Sequence, residues 1–414
     1  MLRKTLKHIS GQTFASVLQF CIGILFIRFL SVNEYGLYVI AASIQAIVCC
    51  FSDCGLASGV NTLVSRSNRK ARDILGVLSA AWLIRKRFNV VALFVGVIAS
   101  YLMLSPVSTN ISHVIILLVI SVCSGLFQGQ TNILKSVLNA DQDDRGLLYL
   151  ALAEIFPRLV LLPLVIFFPL AWIAILLNLM SAVVVNFLVK RVVSSRTSLV
   201  ESNLNEVPER ELADFVYPLI PSVTYTTLQG HLGIFLLGLA GYTHMVAETG
   251  ALGRLAQMLG LLSVLNPFWI QPYFARISQC QLRPRIIMLL AVLLSALVCF
   301  VFSAIVFPEA WAWVLGKKYA NTTGLVVLSV ASASFYLCSS FVYTVLLSQG
   351  ITRGQTLSIS ISLFLQLVMI FVFGINSTRQ ALFLSMIPGL VGFLVQVGLV
   401  WFFILNSKGR SPRG

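Results

Sequence analysis

Apolar runs close to twenty residues long recur along the entire 414-residue chain, each ended by a short polar or basic connection. A hydrocarbon core of about 30 Å is crossed by about 20 apolar residues at a rise of about 1.5 Å each, so these runs have the length of membrane-spanning helices. Turns, prolines and charge clusters place spans near 12–31, 36–58, 88–105, 113–134, 147–168, 170–189, 215–240, 247–270, 286–307, 321–348, 356–375 and 380–405. The stretch 74–87 reads as a short interfacial amphipathic helix leading into the third span. The fold class is therefore all-α: a polytopic membrane protein of about twelve transmembrane helices. Composition agrees, since 58% of residues are hydrophobic and 10% charged, with a mean hydropathy of +0.93. No aqueous fold buries that much apolar surface, and soluble domains carry about 25% charged residues.

The net charge of +15 is topological first, because the basic residues sit between the apolar runs. With a cytoplasmic N-terminus, three of the 29 Lys and Arg residues fall in outer connections (Lys317, Lys318, Arg379). Three more fall within spans (Arg28, Arg158, Arg254), and the remaining 23 lie on or near the inner side. The positive-inside rule selects that orientation, with Lys408, Arg410 and Arg413 cytoplasmic as well. Nothing resembles a basic groove with interleaved aromatics, so nucleic acid is excluded as a partner. The eight cysteines lie almost all within apolar runs and read as reduced and structural. Cys49, Cys50 and Cys54 lack the spacing and histidine partners of a zinc site. The N-terminal Arg3, Lys4 and Lys7 precede an apolar stretch without a cleavage pattern, which reads as a retained first span.

The longest polar stretch, 190–214, reads as a cytoplasmic linker between an N-terminal six-helix bundle (1–200) and a C-terminal one (201–414). A shift of 214 positions pairs Thr13 with Thr227, Leu18 with Leu232, Glu34 with Glu248, Gly36 with Gly250 and Ala42 with Ala256. A second match aligns Val137, Leu138, Arg145 and Gly146 with Val345, Leu346, Arg353 and Gly354. The pattern points to a duplication: two related bundles of like orientation around a central cavity, the geometry of alternating access.

The run Arg28-Phe29-Leu30-Ser31-Val32-Asn33-Glu34-Tyr35-Gly36-Leu37-Tyr38, followed by Phe51-Ser52-Asp53-Cys54-Gly55-Leu56, resembles the opening of the polysaccharide exporters of the multidrug/oligosaccharidyl-lipid/polysaccharide (MOP) superfamily. Within it, the length and span number look most like the Wzx-type O-antigen or repeat-unit flippases, a lipid II flippase being expected to be longer. The resemblance implies translocation of an undecaprenyl-pyrophosphate-linked oligosaccharide from the cytoplasmic to the periplasmic leaflet of a bacterial inner membrane. It also implies membrane lipids, an O-antigen polymerase and chain-length machinery as partners. Glu34-Tyr35-Gly36 falls at the outer turn between the first two spans, where Gly permits a tight reversal and Tyr favours the interface.

A lipid-linked pyrophosphate calls for fixed cations in a water-filled cavity, and arginine bonds phosphate bidentately at any accessible pH. Arg28, Arg158 and Arg254 are the candidate substrate-binding residues, since intramembrane charges normally face a bundle interior or cavity. Arg28 is near enough to the outer interface to snorkel instead. Asp53, Glu154 and His231 are candidate coupling or gating groups. Asp53 has the alternative of capping a helix end, His231 of a structural hydrogen bond, and Glu154 of a plain ion pair with Arg158 four residues on. Intramembrane Gln12, Gln19, Gln128, Gln130, Asn132, Asn178, Asn186, Gln229 and Gln366 suit either a sugar-accommodating cavity or interhelical adhesion. The chain lacks a Walker-type loop, and no cofactor is expected. Two alternatives stand: a multidrug antiporter of the same superfamily, which should prefer an acidic cavity, and a membrane-embedded glycan polymerase or transferase. The latter is disfavoured by the short outer connection 308–320, whose only acid is Glu309, so a non-enzyme is expected.

Overall fold

A computed structural model describes residues 2–66, 71–107, 110–141, 143–197, 209–266, 270–277, 279–349 and 353–402. The middle of the linker and Lys408, Arg410 and Arg413 lie outside the described residues. The first ten helices are α1 (Leu2–Phe29), α2 (Val32–Asp53), α3 (Leu56–Arg66), α4 (Ala71–Leu104), α5 (Ile111–Ala140), α6 (Asp144–Phe167), α7 (Ala171–Thr197), α8 (Glu209–Val216), α9 (Ile220–Leu239) and α10 (Thr243–Gly260). They are followed by α11 (Gln271–Arg276), α12 (Gln279–Val306), α13 (Pro308–Leu315), α14 (Thr323–Ser348), α15 (Arg353–Phe373) and α16 (Thr378–Val400). No strand occurs among the described residues. All but α3, α8, α11 and α13 run for 18 residues or more, which gives the twelve long helices expected.

Nine of these twelve are apolar enough to cross a bilayer among the described residues: α2, α4, α5, α6, α7, α12, α14, α15 and α16. The exceptions are α1, α9 and α10, read from sequence as spans one, seven and eight. The described apolar part of α1 is 14–29. Helix α9 carries Thr224, Thr226, Thr227, Gln229 and His231, and α10 carries His244, Glu248, Arg254 and Gln257.

Two compact units form, one from Phe29–His244 and the other from Met1–Arg28 with Met245–Gly414. Sequence halves and packing units are thus different divisions, because the first helix of each half packs with the body of the other half. The repeat survives in the order of elements. Helix α4 and α12 begin 208 positions apart, α5 and α14 end 208 apart, and α7 and α16 begin 207 apart. Repeated side chains also do repeated work. Glu34 accepts a 2.6 Å hydrogen bond from the backbone N–H of Ala171, the first residue of α7. Glu248, its partner in the repeat, accepts one from the Thr378 hydroxyl, on the first residue of α16. Each carboxylate sits where orphan N–H groups and the positive end of the helix dipole favour an anion.

Three local expectations are corrected. Glu34, Tyr35 and Gly36 lie inside α2, not in a turn: Ser31 is the N-cap and its hydroxyl accepts from the Glu34 N–H at 3.2 Å. Tyr35 is fully buried, and Gly36 is needed for close approach, since a Cβ there would stand 2.6 Å from the Thr243 carbonyl oxygen. The second span stops at Asp53, where Cys54 (φ 42°) and Gly55 (φ 86°) break the helix before α3, which continues along α5. The separate interfacial helix at 74–87 does not exist, because α4 is continuous for 34 residues. Its buried Ile74, Val77, Leu78, Ala81 and Ile84 keep helical spacing through Arg85.

Those residues belong to a core in the Phe29–His244 unit that joins α3 through α8. The end of the expected linker is part of it, for Leu212 and Val216 of α8 are fully buried and a Cβ at Gly59 would lie 2.8 Å from Leu212. Arg87 and Glu209 close the contact with a 3.0 Å ion pair.

Candidate functional site

In the Phe29–His244 unit, Glu154 and Arg158 are one turn apart on α6, opposite the exposed Leu152, Phe156, Leu159 and Val160, and so point into the bundle. Glu154 Oε1 lies 3.6 Å from Arg158 Nη2, outside hydrogen-bond range. Its other oxygen accepts a 3.0 Å hydrogen bond from Lys135 Nζ of α5. The three side chains are between 18% and 24% exposed. The Ser181 hydroxyl of α7 donates to the Glu154 carbonyl. The cluster therefore holds two cations against one anion inside membrane-length helices. Arg158 makes no hydrogen bond among the described residues, and its Nε is buried with no partner. Desolvated guanidinium donors are expensive to leave unmade, which marks the group as available to an anion.

Lys135 was assigned to the inner connection, after a span ending at 134. The signal that extends the helix was present: Ile133, Leu134, Val137 and Leu138 keep the 3–4 spacing and are buried. Arg85 was likewise assigned to the inner side. It is 7% exposed, donates from Nη2 to the Leu126 carbonyl at 2.7 Å and stands 5.3 Å from the centre of the Trp82 ring. Its Nε is also buried without a partner.

The other two arginines lie in the second unit, Arg28 in the last turn of α1 and Arg254 against α1. Arg254 Nη1 donates to Gln257 Oε1 at 2.9 Å, and its guanidinium lies over Gly23. A Cβ at Gly23 would meet Nη1, Cζ and Nε at 3.0, 3.1 and 3.3 Å. Arg28 is exposed; its Nη2 donates to the Trp313 carbonyl at 3.1 Å and its Cζ lies 5.4 Å from that ring. Lys318 Nζ in turn donates to the Arg28 carbonyl at 2.8 Å. Arg28 thus caps the end of α13 and Lys318 the end of α1, where the dipole favours positive charge.

Among the coupling candidates, Asp53 Oδ1 accepts from the Ala57 N–H at 2.8 Å and so anchors the start of α3. His231 Nδ1 is 3.1 Å from Ser43 Oγ. That hydroxyl gives its proton to the Val39 carbonyl, so Nδ1–H is the donor to Ser43. His231 contributes the one polar side chain to a cavity of about 320 Å³ lined by Ile47, Phe51, Phe94, Ile98 and Phe235. Several of the amides bond across helices. Gln45 donates to Gln128 at 2.8 Å, Asn178 to Gln45 at 3.5 Å, and Asn186 to Thr131 at 3.3 Å. Among the described residues no group of three His, Cys, Asp or Glu side chains could hold a metal ion.

No protein-family model matches the chain, and no curated protein matches its sequence. Solved structures do. The lipid II flippase MurJ in an inward closed conformation superposes with a TM-score of 0.72 at 14% identity, over 95% of this chain and 87% of that one. An inward-facing multidrug resistance MATE family transporter of the MOP superfamily gives 0.69 at 13% identity, over 95% and 96%. The fold is that of the MOP superfamily transporters. A third member, a MOP superfamily transporter from Pyrococcus furiosus described by the reverse polarity of its binding pocket, gives 0.55 at 14% identity over 99% and 96%.

Proposed function

We propose that this chain is a flippase, moving undecaprenyl-pyrophosphate-linked oligosaccharide repeat units of the O-antigen type across a bacterial inner membrane by alternating access between its two related halves. The observation that carries this reading is Arg158, a guanidinium held within a membrane bundle with a buried Nε and no hydrogen bond among the described residues. Lys135 beside it leaves the cluster with net positive charge. A pyrophosphate satisfies such donors, whereas a cationic drug is repelled by them. Arg254 and Arg28, in the other unit, are proposed as substrate-binding cations in their own right. Both termini are placed in the cytoplasm, with lipid-linked glycan, surrounding lipids and the polymerase machinery as partners. In proteoliposomes, a fluorescent lipid-pyrophosphate oligosaccharide should become accessible to external reagent faster with the wild-type protein than with empty vesicles. Gradient-driven efflux of cationic dyes without lipid translocation would instead establish the multidrug antiporter that the MATE-like fold also accommodates.

A further inference from the structure

We propose that Lys135 is a positioning residue that parks the Glu154 carboxylate and thereby keeps an oxyanion site open on Arg158. The inference rests on the reading that the substrate carries phosphate, and it deepens that reading by assigning the device that keeps the site vacant for it.

The geometry is unequal in an informative way. Residues four apart on a helix readily form a close pair, yet Glu154 hydrogen-bonds Lys135 on the neighbouring helix at 3.0 Å and stays 3.6 Å from Arg158 on its own. One carboxylate cannot align fully with both cations, and the lysine holds it. Ser181 fixes the backbone at Glu154. Pro157, next to Arg158, lacks the N–H that would bond the Ala153 carbonyl, which loosens the helix at this turn. Arg158 thus keeps a counter-charge near enough to make burial tolerable and too far to occupy its donors.

The fold itself does not demand charge here. The alignment that pairs Val137 with Val345 and Arg145 with Arg353 carries Lys135 to Tyr343, Glu154 to Ser362 and Arg158 to Gln366. Ser362 and Gln366 are buried and uncharged, and Gln366 donates to the Leu384 carbonyl. In the second half these positions carry no charge, and Gln366 bonds onto α16 instead, so the charges of the first half are not a requirement that both halves share.

The test measures binding of inorganic pyrophosphate to the purified full-length protein in nanodiscs by calorimetry at constant ionic strength. The expected outcomes follow from competition between Glu154 and the ligand for Arg158. Arg158→Gln abolishes binding; Glu154→Gln tightens it about tenfold, and Lys135→Met weakens it by about the same factor, a charged hydrogen bond being gained or lost. Lys135→Met has no further effect in the Glu154→Gln background, because it acts only through the carboxylate. That double variant keeps the net charge of the wild type, and its thermal midpoint beside that of Glu154→Gln alone controls for folding. Equal weakening by Lys135→Met in both backgrounds makes the lysine a direct ligand and overturns the proposal. No pyrophosphate binding by the wild type removes the phosphate-site reading itself, and wild-type binding insensitive to Lys135→Met removes only the positioning role.

Discussion

Replacing Glu34 and Glu248 in turn tests whether the duplicated halves share one device for fastening their last helices. Glu34→Ala removes a charge-assisted acceptor 2.6 Å from the Ala171 N–H, at a residue only 2% exposed. A lost hydrogen bond to a charged group costs about 1.5–3 kcal/mol, and loss of an N-cap about 0.5–2 kcal/mol. Water reaches a buried N–H poorly, so the expected cost is about 2 kcal/mol. Glu34→Gln keeps an oxygen acceptor and forfeits the charge–dipole part, about 0.3–1 kcal/mol. For a cooperative unit the size of 29–244, about 2–4 °C accompanies each kcal/mol. Glu34→Ala should therefore lower the midpoint of thermal unfolding in detergent by about 4–8 °C, and Glu34→Gln by about 1–4 °C. Glu248→Ala should weaken the other unit, and the double variant should show the summed effect, since the sites share no partner. A Glu34→Ala protein as stable as the wild type, or a Gln variant as damaged as the Ala one, would refute the capping argument.

Two glycines should respond in opposite ways. Gly36→Ala drives a Cβ to 2.6 Å from a backbone oxygen that cannot step aside, so abundance and melting midpoint should fall by an overpacking cost of about 1–3 kcal/mol. Gly23→Ala meets only the far end of the Arg254 side chain, at 3.0 Å. Thermal stability should hold while glycan translocation in the proteoliposome assay drops, and unchanged translocation would release Arg254 from the substrate role. For orientation, a reporter active only in the cytoplasm should work when inserted within 198–208 and fail at the 105–112 connection; the reverse result would invert the membrane topology.

What could be read from the sequence follows the strength of its periodic signals. Twelve long helices were legible because hydrocarbon thickness sets a length that composition has to meet. The ends were less so, since a charged residue close to the end of an apolar run reads as its boundary. Lys135 and Arg85 show the error: each interrupts an apolar window yet leaves the 3–4 spacing of buried residues intact on both sides. A helix can carry a cation inward when the bundle supplies a carboxylate, as Glu154 does, or a carbonyl and an aromatic face, as Leu126 and Trp82 do. The sequence motif at 31–36 was found for its recognisable pattern and misplaced for want of a cap, although Ser31 and Glu34 have the spacing of a capping box. That Arg28 meets Trp313 and Lys318 depends on contacts nearly 300 residues away in sequence, which no local pattern encodes.

The duplication also separates scaffold from chemistry. Features required by the architecture should recur in both halves, and Glu34 with Glu248 does so, each at the start of its half's last helix. Features acquired for a substrate need appear only once. The Lys135, Glu154 and Arg158 cluster appears once, its counterparts being Tyr343, Ser362 and Gln366. All six positions hold polar groups, charged in the first half and neutral in the second. Insertion of an intramembrane charge costs about 2.5–3.5 kcal/mol on translocon scales, and the sister half carries neutral polar groups at the aligned positions. A structural role leaves that extra cost without a return; binding of an anionic headgroup gives it one. The two halves are accordingly alike in frame and unequal in charge at these positions, the asymmetry that the proposed transport of an anionic amphiphile calls for.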